Sequence, residues 1–517
     1  MSGLKERLVG AVNRTTVEPI VFFNFLALSY FHVSQHAVLY RSICIQNYGQ
    51  YDEKIDCTDL RKNGPELEDR VQRDSSVWTM LLSLCYLLPA VVSDAVLGAW
   101  SDRHGRKVNI LIGLTGLIVA CVASIGLAVF PLMPLYVLCI AKVFAGLCGY
   151  VAIVMISSWA YLADVIEKKQ ELTSRMMSVQ VYRFVADVVG SFSFSTISKV
   201  TNLAVTLLIA ECFFAFAFFY ALARLHQMPP AALKKFSITE KRRLKSLNDM
   251  TKYGTDMEVR PDAQSEVNDT RSYAIEAGEN GSIAIVEPIR DPHPKDDGDN
   301  LHYMRQLYSG VWNTLTRKRP GHGRTYILLC SLIYFVFTMS EIGLQGSILS
   351  LYVFHRPFFW SPSALGRFKG FQHTCALVIN LFGALLLNEF VHADDTTIML
   401  LSLGSGIIHL TLTGLAEDSW TLYSAAALAS CGSLLIPSLK SFMVRTVAED
   451  EVGRTLAANG IAADLAFVTS AVVFTNLYSL TVSTCAGAVF FIGGGLLALC
   501  FAATVWMKMD IKAHGCS

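Results

Sequence analysis

Gly98-Ala99-Trp100-Ser101-Asp102-Arg103-His104-Gly105-Arg106-Lys107 joins two long apolar segments, and its reading decides the fold. One acid and three strong bases are crowded between stretches nearly free of charge. Gly98 lets two helix backbones approach closely in a bilayer. Asp102 can sit against the positive end of a neighbouring helix. Arg103, Arg106 and Lys107 belong on the cytoplasmic side of a membrane. Gly105 permits a tight turn.

Composition agrees with a membrane chain. Of 517 residues, 53% are hydrophobic and 16% charged, against roughly 25% charged in soluble domains. A net charge of +1 gives no reason to expect a nucleic acid partner. The first apolar stretch lacks a small-residue cleavage site and reads as a span, not a removable leader. Most of the 13 cysteines lie in apolar segments, where they act as small hydrophobes. Cys44 and Cys57 differ, because they lie in a polar loop. No Cys or His spacing suggests zinc, so neither a metal nor a cofactor is expected.

Apolar runs of about 20 residues mark spans. They fall at 18–40, 76–100, 107–129, 133–163, 176–197 and 203–225, then at 326–354, 363–388, 396–415, 419–445, 455–478 and 482–508. The chain therefore divides into an N-terminal segment 1–17, a six-helix half 18–225, a linker 226–325, a six-helix half 326–508 and a tail 509–517. Lysine and arginine near the first span, in the 98–107 turn, in 164–175 and in the linker place both termini and the linker in the cytoplasm. The loop 41–75 then lies outside although it holds Arg41, Lys54, Arg61, Lys62, Arg70 and Arg73. Its Cys44 and Cys57 face a compartment that permits a disulfide. Asn13, Asn268 and Asn280 head sequons on the inner side and are expected to stay unglycosylated.

The linker reads differently from the rest. Ser237 and Glu240 have capping-box spacing before Lys241-Arg242-Arg243. Residues 251–300 have the composition of disorder. Leu301, Met304, Leu307, Tyr308, Val311, Trp312 and Leu315 recur at helical spacing and predict an amphipathic helix on the inner leaflet. A Y-x-x-Φ match at 308–311 lies within it.

The opening turn fits G-x-x-x-D-[RK]-x-G-R-[RK] and resembles the loop between helices 2 and 3 of major facilitator superfamily transporters. Tyr161-Leu162-Ala163-Asp164 with Arg175 is similar to the superfamily's Y-x-A-D…R signature. Lys142, Gly146 and Gly149 resemble its helix-4 R-x-x-x-G motif, with lysine for arginine. The resemblance implies an all-α polytopic protein of twelve helices in two six-helix halves. It also implies an inner gate built from Asp102, Arg103, Arg106, Asp164 and Arg175. The helix-5 glycine-proline motif of antiporters is missing at Asp187-Val188-Val189-Gly190-Ser191, which favours symport or uniport.

A narrower resemblance is carried by Val17-Glu18-Pro19, Gln35, Tyr40-Arg41, Gln372-His373, Pro437, Lys440, Val444-Arg445, Glu451, Gly453 and Asn476-Leu477-Tyr478. Together they look like solute carrier family 46, the proton-coupled folate transporters, over nearly all the membrane region. The departures are specific. The family's helix-5 proton acid is matched by Gln180, an acidic position in helix 4 by Tyr150, and a helix-7 histidine by Glu341. Lys440 keeps the basic residue of helix 10. Phe359 replaces the outer cysteine after helix 7, so the family's long-range disulfide should not form.

Charged groups inside spans cost roughly 3 kcal/mol or more facing lipid, so they are expected to face a cavity or a partner. Arg183 and Asp187 are four apart and share a face. Glu341 sits near Gly343 and Gly346 as a cavity carboxylate able to take a proton. Lys142, Arg183 and Lys440 can meet an anion. His32 and His36 share a face of the first span, and His373 lies in the eighth. Asp94, Glu211 and Asp464 are weaker candidates. No G-x-S-x-G or H-E-x-x-H motif marks an enzyme. The reading is a secondary transporter of a small organic anion or amphiphile, working by alternating access with proton coupling in prospect. A monomer in the bilayer suffices for it, and the plasma membrane is favoured over an endosomal or lysosomal one. The alternative is a receptor or scaffold of the same fold that carries no flux.

Overall fold

The computed structural model describes residues 16–49, 55–57, 65–166, 169–225, 275–277, 283–285, 317, 322–383, 394–447 and 452–514. Within them run α1 Glu18–Cys44, α2 Pro65–His104, α3 Arg106–Val129, α4 Leu135–Val165, α5 Lys169–Ile197 and α6 Leu203–Arg224. After the linker come α7 Gly323–Phe354, α8 Pro362–Val378 with a π-turn Ile379–Gly383, α9 Asp395–Leu415, α10 Ser419–Thr446, α11 Val452–Cys485 and α12 Ala488–His514. All twelve belong to one compact unit, 1–228 with 309–517. The second unit, 229–308, contains an antiparallel pair of strands, β1 Ile275–Ala277 and β2 Ile283–Ile285. These strands fall in a stretch expected to be disordered; three of their six residues are isoleucine, which favours extended backbone. The sequons, the 237–240 capping box and the amphipathic helix at 301–315 lie outside the described residues.

Among the described residues, nine of the twelve spans are long and apolar enough to cross a membrane. The other three are α1, α5 and α8. They fail for one reason. They carry His32, Gln35 and His36, then Gln180, Arg183 and Asp187, then Lys369, Gln372 and His373. They also pack on one another, α1 against α5 and α5 against α8. Polar side chains in a bilayer turn toward the bundle interior, so low hydropathy here marks the inside of the bundle.

Local chemistry sets the helix ends. Pro19 takes the first turn of α1, where its missing N–H costs nothing. Asn202 caps α6 by accepting from Val205 N at 2.9 Å. Ser361 caps α8 and Asp418 caps α10 in the same way. Gly105 separates α2 from α3 at φ +98°, a turn that an L side chain would strain. In α4, a Cβ on Gly146 would fall 2.3 Å from Tyr86 O, so glycine is needed for α4 to lie against α2. Gly98 does not make the close approach expected of it: nothing lies within 4 Å of a Cβ placed there.

Two elements depart from expectation. α2 begins at Pro65, not at 76, because a polar extension continues the helix beyond the apolar window and docks on the turn between α7 and α8. α7 is interrupted by π-turns at Thr338–Ile342 and Leu344–Ile348, with Gly346 at ψ −106°. Irregular backbone at this depth is tolerated where it lines protein or a cavity, and π-turns gather at functional sites.

Successive spans alternate in direction. One face therefore carries the end of α1 and the start of α2, and the other carries the start of α1, the end of α12 and the Gly105 turn. They are called the loop face and the terminal face below.

Candidate transport site and gates

A cavity of about 40 Å³ lies among α1, α2 and α4, lined by residues that include His32, Gln35, His36, Tyr86, Lys142 and Tyr150. That is room for a few water molecules. Lys142 is 2% exposed. Its Nζ stands 4.8 Å from the Phe31 ring and 5.3 Å from the rings of Tyr86 and Tyr150. It meets no carboxylate among the described residues. Cation–π contacts return about 1–2 kcal/mol each when desolvated. A buried charge costs several kcal/mol. The three rings offset much of that cost but supply no formal negative charge.

Other basic side chains gather around this point. His32 and His36 of α1 stand within electrostatic reach of both Lys142 and Lys369. His373 stands within reach of Lys369 and Arg183. Arg183 Nε lies 3.8 Å from Asp187 Oδ2, an ion pair too long for a hydrogen bond, and its guanidinium covers the Phe25 ring at 5.0 Å. The structure thus brings Lys142, Lys369, Arg183, His32, His36 and His373 around one interior region. Lys440 is set apart, over the Tyr334 ring at 5.9 Å. That is about 10 Å along α7 from Glu341.

Glu341 is not the unpaired carboxylate that its sequence context suggested. His409 Nδ1 of α9 lies 2.6 Å from Glu341 Oε1, a charge contact off the line of a ring N–H. His409 Nε2 is 2.9 Å from Gln345 Nε2. Gln345 Oε1 accepts from Gln372 Nε2 at 2.9 Å. Lys369 Nζ donates to Gln372 Oε1 at 3.3 Å and to the Gln345 carbonyl at 2.6 Å. Polar contacts therefore run unbroken from Glu341 to Lys369 through α7, α9 and α8. Sequence reasoning missed His409, Gln345 and Lys369. The signal was available: Lys369 and His409 are titratable groups well inside spans, and Gln345 is one turn from Glu341.

The two faces are held differently. At the loop face, contacts join the halves. Arg356 donates to both carboxylate oxygens of Asp69, at 2.9 and 2.8 Å. His355 Nε2 lies 2.9 Å from Asp69 Oδ1 and 3.6 Å from Glu68 Oε1. Gln72 donates to Leu351 O at 2.7 Å and to the Tyr478 hydroxyl at 2.9 Å. Ser363 donates to Ser195 O at 2.8 Å. Cys44 and Cys57 of the same face are joined by a disulfide.

At the terminal face, each described ion pair stays within one half. Arg106 Nε bonds Asp164 at 3.2 Å, as the motif implied. Arg175 does not join that pair. It bonds Glu18 Oε1 at 2.7 Å, because the buried Glu18 at the start of α1 offers it a nearer acid. In the other half, His322 and Tyr326 meet Asp510, and Arg445 meets Asp395. The side chains of Asp102 and Arg103 lie outside the described residues. No group of His, Cys, Asp and Glu suited to a metal occurs among the described residues.

Comparisons place this geometry. Residues 24–162 match the family model for sugar (and other) transporters. The rat (Rattus norvegicus) proton-coupled folate transporter is 25% identical over 96% of this chain and 93% of its own. The chicken (Gallus gallus) lysosomal proton-coupled steroid conjugate and bile acid symporter is 20% identical over 95% of this chain and 93% of its own. Among solved structures, the human organic anion transporter MFSD10 superposes with TM-score 0.57 at 16% identity, covering 94% of this chain and 97% of that one. A POT family transporter bound to 5-aminolevulinic acid superposes with TM-score 0.60 at 10% identity, covering 96% of each chain. The fold is that of the major facilitator superfamily, and the curated relatives are transporters, not enzymes.

Proposed function

We propose that this multi-pass membrane transporter, a relative of solute carrier family 46, carries a small organic anion by alternating access together with a proton. One observation carries the reading. Lys142 is buried in an aromatic cage and meets no carboxylate among the described residues, and Lys369 of the other half lies within reach of the same His32. An anion supplies the missing counter-charge. Its carboxylate or sulfate meets Lys142 and Lys369, and its apolar body lies against Tyr86 and Tyr150, which line the cavity. The relatives' names, with folate in one and steroid conjugates and bile acids in another, fit an amphipathic anion.

The terminal face is the cytoplasmic one on this reading, from the distribution of Lys and Arg. The closed loop face then makes this the inward-facing state. Asp102, Arg103, Arg106 and Asp164 close the terminal face when the loop face opens. The protein acts in the plasma membrane; the Y-x-x-Φ match favours an endosomal or lysosomal membrane as the second site.

The test is uptake of labelled folate, taurocholate and estrone sulfate into proteoliposomes at pH 5.5 and 7.5 outside. Acid-stimulated uptake is expected for at least one anion. Lys142→Gln removes a charged contact of about 1.5–3 kcal/mol, so uptake should fall by roughly tenfold or more. Uptake that is indifferent to Lys142, or stimulated equally for neutral solutes, overturns the reading.

A further inference from the structure

The contacts from Lys369 to Glu341 have a direction, and Lys369 sets it. An ammonium has three donors and no acceptor. Gln372 must therefore turn Oε1 toward Lys369, which leaves its Nε2 facing Gln345. Gln345 must accept with Oε1, which turns its own Nε2 toward His409. His409 Nε2 must then be the bare, accepting nitrogen, and the ring proton sits on Nδ1, the nitrogen 2.6 Å from Glu341 Oε1 though off the line of a hydrogen bond. One donor-only group at the end of the row dictates the tautomer of a histidine on another helix.

A second proton on His409 contradicts every step of this order. Nε2–H needs an acceptor, so Gln345 must turn its amide over. Its Nε2 then faces Gln372, which must turn over as well. Gln372 now presents N–H groups to the Lys369 ammonium, and that contact is lost. Lys369 keeps only the Gln345 carbonyl. The proton comes from water and stays on His409, as an imidazolium beside the Glu341 carboxylate; no other bond changes.

We infer that Lys369 is an anion-binding residue that a proton uncovers, through reversal of the Gln345 and Gln372 amides by the His409–Glu341 pair. This deepens the anion and proton reading above and rests on it. It also gives a reason for the broken helix. Glu341 and Gln345 sit in the two π-turns of α7, where backbone play lets an amide turn.

Other charged and titratable groups stand around the row, and His32 and His36 of α1 lie within electrostatic reach of its Lys369 end. From α8, His373 stands near Lys369. From α10 and α11, Lys440 and Asp464 stand near Tyr334. From α12, Lys508 bonds Thr397, twelve residues from His409, or about 18 Å along α9. On the other side of the pair, a Cβ placed on Gly406 of α9 would stand 3.7 Å from Glu341 Oε2.

The test needs no transported solute, so its failure is separable from failure of the anion reading. The purified full chain carries 15N-labelled histidine, and the spectrum reports the His409 tautomer and the pH at which it takes a second proton. In wild type, neutral His409 should be the Nδ1–H form. Binding energies are reciprocal between coupled sites. If the proton frees Lys369, removing Lys369 must ease protonation, so Lys369→Met should shift that pH upward by about one unit. Loss of a nearby positive charge alone also shifts it upward. The relay is therefore isolated by repeating Lys369→Met in Gln345→Leu, where the charge effect remains and the row is cut. The relay predicts that the shift falls to less than half. Gln372→Leu supplies the cut if Gln345→Leu does not fold. Equal shifts in intact and cut backgrounds, or an Nε2–H tautomer in wild type, overturn the inference.

Discussion

The loop face and the terminal face of the bundle are built on opposite plans. At the loop face, Asp69 and Glu68 of one half hold His355 and Arg356 of the other. At the terminal face, Arg106–Asp164 and Arg175–Glu18 belong to one half, and His322–Asp510 and Arg445–Asp395 to the other. Ion pairs that cross the halves fix a state; ion pairs within a half only stiffen it. Among the described residues, the ion pairs that cross the halves are those of the loop face.

The largest effect should come from Asp69→Ala. Asp69 is partnered by both Arg356 and His355, and His355 is buried, its side chain 2% exposed. Breaking a buried pair costs about 3–5 kcal/mol. Arg356 is 40% exposed, so solvent screening lowers this to roughly 1–3 kcal/mol. The balance of states should move toward loop-face opening by about tenfold or more. Reactivity of a cysteine placed at Leu351 toward a membrane-impermeant reagent checks it; no rise would mean that the pairs do not hold the face shut.

Arg106→Ala comes next. Its partner lies in the same half, so the conformation with the loop face closed should keep its folded yield. If the proposed gate holds, transport should slow a few-fold, through loss of about 1 kcal/mol. A loss of folded protein instead of rate would make the pair a structural brace. Cys57→Ser should act less. The bond closes a segment of 13 residues in sequence separation, and its removal should lower the thermal midpoint by a few degrees with transport retained. An equal fall after reduction of wild type would tie the effect to the bond.

Asp418 should give the smallest effect. Hydrogen bonds from the Thr421 hydroxyl and backbone N–H hold its carboxyl below the usual carboxylate range. A lowered folded value stabilises above the unfolded value and is lost as the pH falls through the folded one. Asp418→Ala should therefore cost a little stability at neutral pH and nothing in strong acid, by thermal unfolding across pH. A difference that grows on acidification would contradict the cap.

These contrasts follow what the sequence could carry. At the terminal face the Arg106–Asp164 pair was legible, because both residues stand in short motif segments. Arg183–Asp187 was legible from one turn of helix. Cys44 and Cys57 were the cysteines of one polar loop. The loop-face lock was not legible, since Asp69 and His355 are 286 positions apart and neither sits in a patterned segment. The interior row was half legible. Glu341 was marked by its charge in an apolar span, yet His409 and Lys369 reach it only through the packing of α7, α8 and α9. Low hydropathy in α1, α5 and α8 was the overlooked clue to where that interior lies.

The most direct test is a distance across the loop face. Spin labels at Val200, in the turn between α5 and α6, and at Trp420, at the start of α10, sit on opposite halves and are 84% and 82% exposed. Pulsed electron resonance on the reconstituted protein should give one short distance in wild type. In Asp69→Ala a second, longer population should appear, with the reverse change between labels on the terminal face. A single unchanged distance at both faces would contradict the account.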